Sequence, residues 1–248
     1  ETGRRNRQKK KSREQGLEYV IPMISEKNEG LSDGSRMRGN MRKGTLTIIS
    51  GFSGAGKGTV MKALLAKYSS QYALSISATS RKPREGEVNG REYFFKTKEE
   101  FEELIAQEKL IEYAKYVDNY YGTPADYVEE QRNAGKDMIL EIEIQGALQV
   151  KEKYPEAMLI FLTPPSIQEL KNRLIGRGTE EMPVIEARLR RAKEEAEYMD
   201  RYEYIVVNDT VEECVEQIHR LIQSQHDQVY YRRDFIAEMK KEIEEFVS

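Results

Sequence analysis

The sequence predicts an α/β fold: a parallel sheet flanked by helices and carrying a phosphate-binding loop, with an inserted mixed α+β subdomain and a mobile lid. Three observations lead there. An apolar, β-branched run, Thr45-Leu46-Thr47-Ile48-Ile49, enters a glycine-rich loop that opens a helical pattern. Short buried-strand patterns then alternate with helical ones, the mark of repeated βα units in a sheet covered on both faces. Between about residues 77 and 125 that alternation breaks, which marks the insert.

The loop runs Gly51-Phe52-Ser53-Gly54-Ala55-Gly56-Lys57-Gly58-Thr59. Its glycines let the backbone wind tightly enough for N–H groups to face an anion. The helix that follows, through Val60, Met61, Leu64 and Leu65, adds its positive dipole end. Lys57 supplies a point charge for the outer phosphates of a nucleoside triphosphate. The spacing of glycines and lysine matches the phosphate-loop pattern and then departs from it. Gly58 stands where a Ser or Thr usually ligates Mg²⁺, and the hydroxyl arrives one residue later, at Thr59. The alternative reading is a strand-to-helix turn that holds no ligand.

After that helix, Leu74 to Ser77 alternates like a strand, and Arg91 to Phe95 reads as another. Thr97-Lys98-Glu99-Glu100 has capping-box spacing and opens an amphipathic helix through Phe101, Leu104 and Ile105. Leu110 to Val117 and Asn119 to Gly122 read as short antiparallel strands. Regular alternation resumes with a helix over 126–133, stopped by Gly135, and a buried strand over 138–142. A helix over 145–153 and a strand over 157–162 follow. Ser166 caps the next helix, which ends at Gly176-Arg177-Gly178. Residues 179–183, with Pro183, read as a mobile loop, so the lid spans about 177–190. A charged helix from Val184 to about Met199, a strand at 204–207 and a helix capped by Thr210 complete the pattern. In such sheets ligands sit at the carboxyl ends of the strands, where the loop, Glu141 and the Arg81 segment are expected to converge.

Composition narrows the class. The chain has 248 residues, 38% apolar and 33% charged, with a net charge of −3, which suits a soluble α/β domain of about 41–227. One cysteine, Cys214, forms no internal disulfide and fits a reducing, cytoplasmic setting. Two histidines are too few for a Cys/His zinc cluster. No apolar run approaches the roughly 20 residues of a membrane span. Residues 1–40 read as a disordered basic and polar extension. The cations of its segment 4–13 admit nucleic acid as a partner. Residues 228–248 read as a C-terminal helical extension.

Within the insert, Arg81 and Arg84 flank Pro83, and planar guanidinium forks suit phosphate oxygens. Tyr93 and Tyr121 offer hydroxyls for the same anion. Singly, each arginine reads as surface charge and each tyrosine as core. Together they stand in the run Ser75-Ile76-Ser77-Ala78-Thr79-Ser80-Arg81-Lys82-Pro83-Arg84-Glu85-Gly86-Glu87-Val88-Asn89-Gly90-Arg91-Glu92-Tyr93-Phe94-Phe95. With Ile111-Glu112, Asn119 to Thr123, Glu141 to Gly146, Arg177-Gly178-Thr179 and Val207-Asn208-Asp209, this run resembles the guanylate kinase family from Gly44 to about Ile222.

The resemblance implies a P-loop fold with a GMP-binding insert and a lid, and transfer of phosphate from ATP to GMP, and to dGMP, with Mg²⁺. It implies that Gly51 to Thr59 and Asn208 bind ATP. Arg81, Arg84, Tyr93 and Tyr121 would contact the GMP phosphate, and Ser77, Glu112, Gly122, Thr123 and Glu143 the nucleoside. Lys57, Arg81 and the lid arginines Arg173, Arg177 and Arg188 would assist transfer. Glu141 would hold Mg²⁺ through water. Two departures stand out: the family often has Asp where Glu143 stands, and Pro-bearing, Lys-Ser-Thr loops where this chain has Phe52 and Lys57-Gly58-Thr59. The Lys57-Gly58-Thr59 change is similar to adenylate kinase loops, so AMP or UMP remains a rival acceptor. A catalytically inactive binding module is a second rival, although such domains typically lose the phosphate loop, and here Lys57 and the lid arginines are present. The partners implied are ATP and GMP, with no membrane; a homodimer is left open.

Overall fold

A computed structural model describes residues 42–116, 118–176 and 182–248. The expected extension at 1–40 lies outside the described residues, as does the 177–181 part of the expected lid.

The main sheet is wholly parallel. It comprises β1 (Leu46–Gly51), β2 (Tyr72–Leu74), β7 (Asp137–Glu141), β8 (Met158–Thr163) and β9 (Tyr204–Val207) in the order β2-β7-β1-β8-β9. In β1, Ile48 lies opposite Leu140 on one side and Leu159 on the other. Both faces of the three central strands, β7, β1 and β8, are buried, so these strands are apolar runs rather than alternating ones. Even so, neighbours divide between two cores. Ile48, Leu140, Leu159 and Phe161 pack against α3 (Ala125–Asn133), α4 (Ile144–Lys153), α5 (Ile167–Gly176) and α6 (Met182–Ala196). Ile49, Ile139, Ile160 and Leu162 pack against α1 (Lys57–Lys67) and α7 (Val211–Gln225).

The insert is a second sheet, β4-β3-β6-β5, formed by β3 (Ala78–Thr79), β4 (Phe94–Phe95), β5 (Leu110–Tyr116) and β6 (Asn119–Pro124). It mixes a parallel pair with antiparallel ones. Helix α2 (Lys98–Ala106) covers it through the fully buried Phe101. Its capping box closes as expected: Glu100 N–H donates to Thr97 Oγ1 at 3.1 Å and Thr97 N–H to Glu100 Oε2 at 2.7 Å.

Three local expectations change. Of the strand read at 74–77 only Leu74 is in a strand, at the end of β2, and residues 75–77 form the crossing to β3, which begins at Ala78. Its alternation could not disclose that crossing. The strand read at 91–95 shrinks to Phe94–Phe95, because Glu92 Oε2 accepts from Val88 N–H at 2.7 Å and folds the preceding residues into turns. Pro183 belongs to the first turn of α6, where its missing N–H costs no helical bond. Beyond α7, a short turn at Val229–Arg232 leads into α8 (Arg233–Val247). Among the described residues no helix is long and apolar enough to cross a membrane.

Candidate active site

The glycine-rich loop leaves β1 and enters α1 with φ of 96° at Gly54 and 95° at Gly56, a region that favours glycine. Space demands glycine as well. A Cβ on Gly56 would stand 2.5 Å from Asn208 Nδ2. Phe52, where the family often has proline, is buried edge-on against Phe161, with centroids 4.9 Å apart. Gly58 is in open space and Thr59 is exposed in the first turn of α1.

Lys57 extends back along the loop and donates to the carbonyl of Gly51 at 2.7 Å. Burial lowers its pKa, opposed by the negative field of Glu141, Glu143 and Glu195. Glu141 ends β7, and its pKa is raised by burial while Lys57 pulls it back. Ser53 Oγ accepts from Arg188 Nη1 at 2.5 Å, so α6 touches the loop. On the other flank Asn208 Nδ2 donates to Ala55 O at 2.8 Å, and Arg173 Nη2 donates to Asn208 O at 3.0 Å. A cleft of about 370 Å³ opens there between Gly54, Gly56, Thr59, Arg173 and Asn208.

The insert contributes a buried carboxylate. Glu112 on β5 is 6% exposed, and Thr123 on the paired β6 donates its hydroxyl to Oε1 at 2.7 Å. Burial raises the Glu112 pKa against that hydrogen bond. The other oxygen, Oε2, faces α4, where a Cβ on Gly146 would lie 2.9 Å away. Gly122 permits the β5–β6 approach, since its Cβ would meet the Glu112 carbonyl at 2.7 Å. Half-buried Ser77 bonds through its carbonyl to Phe94 N–H.

Arg81, Tyr93 and Tyr121 form one patch in the insert. The Arg81 guanidinium lies 5.4 Å from the Tyr93 ring centroid, and the Tyr93 and Tyr121 centroids are 6.1 Å apart. Arg84 is exposed beside it and donates its backbone N–H to Glu87 Oε2 at 2.7 Å. Arg81 makes a two-pronged bond to Glu87, 2.9 Å at each prong, so in this arrangement its guanidinium is turned to Glu87. Glu143, at the start of α4, is 69% exposed and pairs with Arg191 at 2.6 Å.

The structure thus gathers Lys57, Glu141, Glu143, Arg173, Arg188 and Asn208 around the loop, and Glu112, Gly122 and Thr123 in one buried corner of the insert. Arg177 lies outside the described residues. Sequence reasoning missed Glu87, Arg191 and Glu195. The i,i+4 spacing of Arg191 and Glu195 was visible, but it reads as an ordinary solvated helix pair; the bond to Glu143 is 48 residues distant and carries no local signal.

Comparison with known proteins gives the family. The family model described as guanylate kinase matches residues 43–225. A guanylate kinase of Bacillus anthracis is 54% identical over 204 residues, 82% of this chain and 98% of that protein. One from Bacillus subtilis (strain 168) is 54% identical over 184 residues, 74% of this chain and 90% of its own length. The crystal structure of guanylate kinase from Anaplasma phagocytophilum superposes with a TM-score of 0.59 at 30% identity, covering 76% of this chain and 89% of that one.

Proposed function

The chain belongs to the guanylate kinase family of enzymes, which phosphorylate GMP with ATP, and from that premise we propose an in-line transfer in which its residues position and neutralise two polyanions. The GMP phosphate oxygen attacks the γ-phosphorus of ATP and ADP leaves on the opposite side. No protein nucleophile takes part, so rate comes from alignment and charge compensation.

Gly51 to Thr59 cradle the ATP phosphates, with Lys57 moving from the Gly51 carbonyl to the outer phosphates. Asn208 and Arg173 border the cleft for the rest of ATP. Arg81, Arg84, Tyr93 and Tyr121 take the GMP phosphate, which draws Arg81 off Glu87. Arg177 and Arg188 add positive charge on lid closure, which also keeps water from the γ-phosphate. Two carboxylates read the base: Glu112, with Thr123 beside it, and Glu143. The observation that carries this reading is the buried Glu112, whose Oε2 faces the small space at Gly146. Guanine presents N1–H and N2–H₂ as adjacent donors to such a carboxylate. Adenine presents a lone pair at N1 and would leave the acceptor unpaired, a heavy cost in a buried corner. We propose dGMP as a further acceptor.

The residues fit Mg²⁺ as a nucleotide-borne ion. Among the described residues no group of three or more acidic, His or Cys side chains could hold a metal, and Gly58 has no hydroxyl. Glu141 offers a hard oxygen suited to a water of the ion, whose chemistry is to neutralise charge on the phosphates. The single reduced cysteine and nucleotide substrates fit a cytoplasmic enzyme.

The test is ADP formation from Mg-ATP with GMP, AMP, UMP or no acceptor in parallel. Strong stimulation by GMP alone is expected. Stimulation by another nucleotide would overturn the base reading, and none at all from a folded, GMP-binding sample would favour a binding module.

A further inference from the structure

Arg191 lies on α6, three residues beyond Arg188, and its guanidinium is held by two carboxylates. Nε donates to Glu195 Oε1 at 2.9 Å, and Nη2 donates to Glu143 Oε2 at 2.6 Å. The two ends differ. The Glu195 side chain is 10% exposed, whereas Glu143 is open to solvent. The buried carboxylate therefore anchors Arg191 and aims its outer nitrogens at Glu143. A guanidinium and the guanine edge share one chemical fragment, a carbon bearing neighbouring N–H donors. Arg191 presents to Glu143 the donors that guanine would present.

We propose that Arg191 sets the affinity for GMP by occupying Glu143 as an internal stand-in for the guanine edge. The proposal rests on the reading of Glu143 as a base contact. GMP must displace Arg191 from Glu143; Glu195 retains the arginine, so α6 is freed from the mouth of the base pocket as the base enters. Because the Glu143 end is exposed, the competition is mild, worth roughly two- to fivefold in GMP affinity.

The test is calorimetric titration of the full chain with GMP, and separately with ATP. Arg191→Gln is expected to tighten GMP binding by about two- to fivefold and to leave ATP binding unchanged. The sign is diagnostic, because loss of a positive charge beside an anionic ligand would otherwise weaken binding. The ratio of wild-type to variant affinity should shrink toward one near 1 M salt, where screening reaches about 3 Å. Arg191→Lys, which keeps the charge without the planar fork, should fall between. Glu143→Gln separates the two readings. If it weakens GMP binding and abolishes the Arg191→Gln effect in the double variant, the proposal stands. If it weakens GMP binding while Arg191→Gln leaves binding unchanged or weaker, the Arg191 proposal alone falls. If it changes nothing, the base-reading role of Glu143 falls and takes the proposal with it.

Discussion

Asn208 donates its side-chain amide to the carbonyl of Ala55 at 2.8 Å, tying the end of β9 to the glycine-rich loop. Asn208 is 4% exposed, and the same amide nitrogen fills the space a Cβ on Gly56 would need. Replacing Asn208 with Ala removes the shorter of the two bonds to the Ala55 carbonyl and leaves only that from Arg173 Nη1, at 3.4 Å. A loss of about 1–3 kcal/mol in unfolding free energy is expected, together with weaker ATP binding, read by thermal unfolding and ATP titration. Gly56→Ala should cost at least as much, since it adds both the contact and a positive φ.

Gly146 bears on the proposed base pocket in a similar way. A methyl there would stand 2.9 Å from Glu112 Oε2 and 3.3 Å from its Cδ. The carboxylate is pinned on its other side by Thr123, so it must rotate out of place. Gly146→Ala is expected to raise the KM for GMP by about tenfold, equivalent to roughly 1.4 kcal/mol, with the KM for ATP unchanged. Steady-state kinetics with each substrate varied in turn would check this.

Burial raises the pKa of Glu112, so on acidification it takes up a proton earlier than an exposed glutamate would. Guanine donors need the ionised form. GMP affinity should therefore be full at higher pH and fall as pH drops through that raised value. The GMP phosphate titrates nearby, so the informative quantity is the ratio of wild-type to Glu112→Gln affinity between about pH 5 and 8. The ratio should decline toward the acid end. Folding has the opposite sign. A carboxyl with a raised folded pKa favours the folded state below its unfolded pKa, and that benefit is lost as pH rises through the folded one.

Arg132 on α3 is 1% exposed and joins Glu129 at 2.7 Å, Glu156 at 3.4 Å and the Gly44 carbonyl at 3.1 Å. Arg132→Ala removes the cation paired with the well-buried Glu156 side chain. Removing one member of a buried ion group costs about 3–5 kcal/mol. Urea unfolding should register that loss.

Much of the architecture was legible because its signals are local. Thr97, Ser166 and Thr210 accept from the N–H three residues on, as their spacing predicts. Gly135 ends α3 at a φ of 81°. The loop needed only its glycines and lysine between a strand and a helix. The misread stretches, at 74–77 and 91–95, are those where side chains or a second sheet compete for backbone bonds that periodicity assigns to a strand. Arg81 stands out in the sequence by the company it keeps, but its grip on Glu87 does not, because several acids nearby are equal candidates.

By itself the sequence determined the succession of strands and helices, the caps and the chemical types available to the site, because those depend on residues within one or two helical turns of each other. Which of them meet was decided only by the tertiary structure. The order β2-β7-β1-β8-β9 sets the end of β7 and the end of β9 on either side of β1 and its loop, so Glu141 and Asn208 reach that loop from opposite flanks. The packing of β5 on α4 brings Gly146 to Glu112, and the placement of α6 brings Arg191 to Glu143. Such pairs depend on sheet order and helix docking, which arise from burial summed over the whole core and leave no periodic trace near the residues they join.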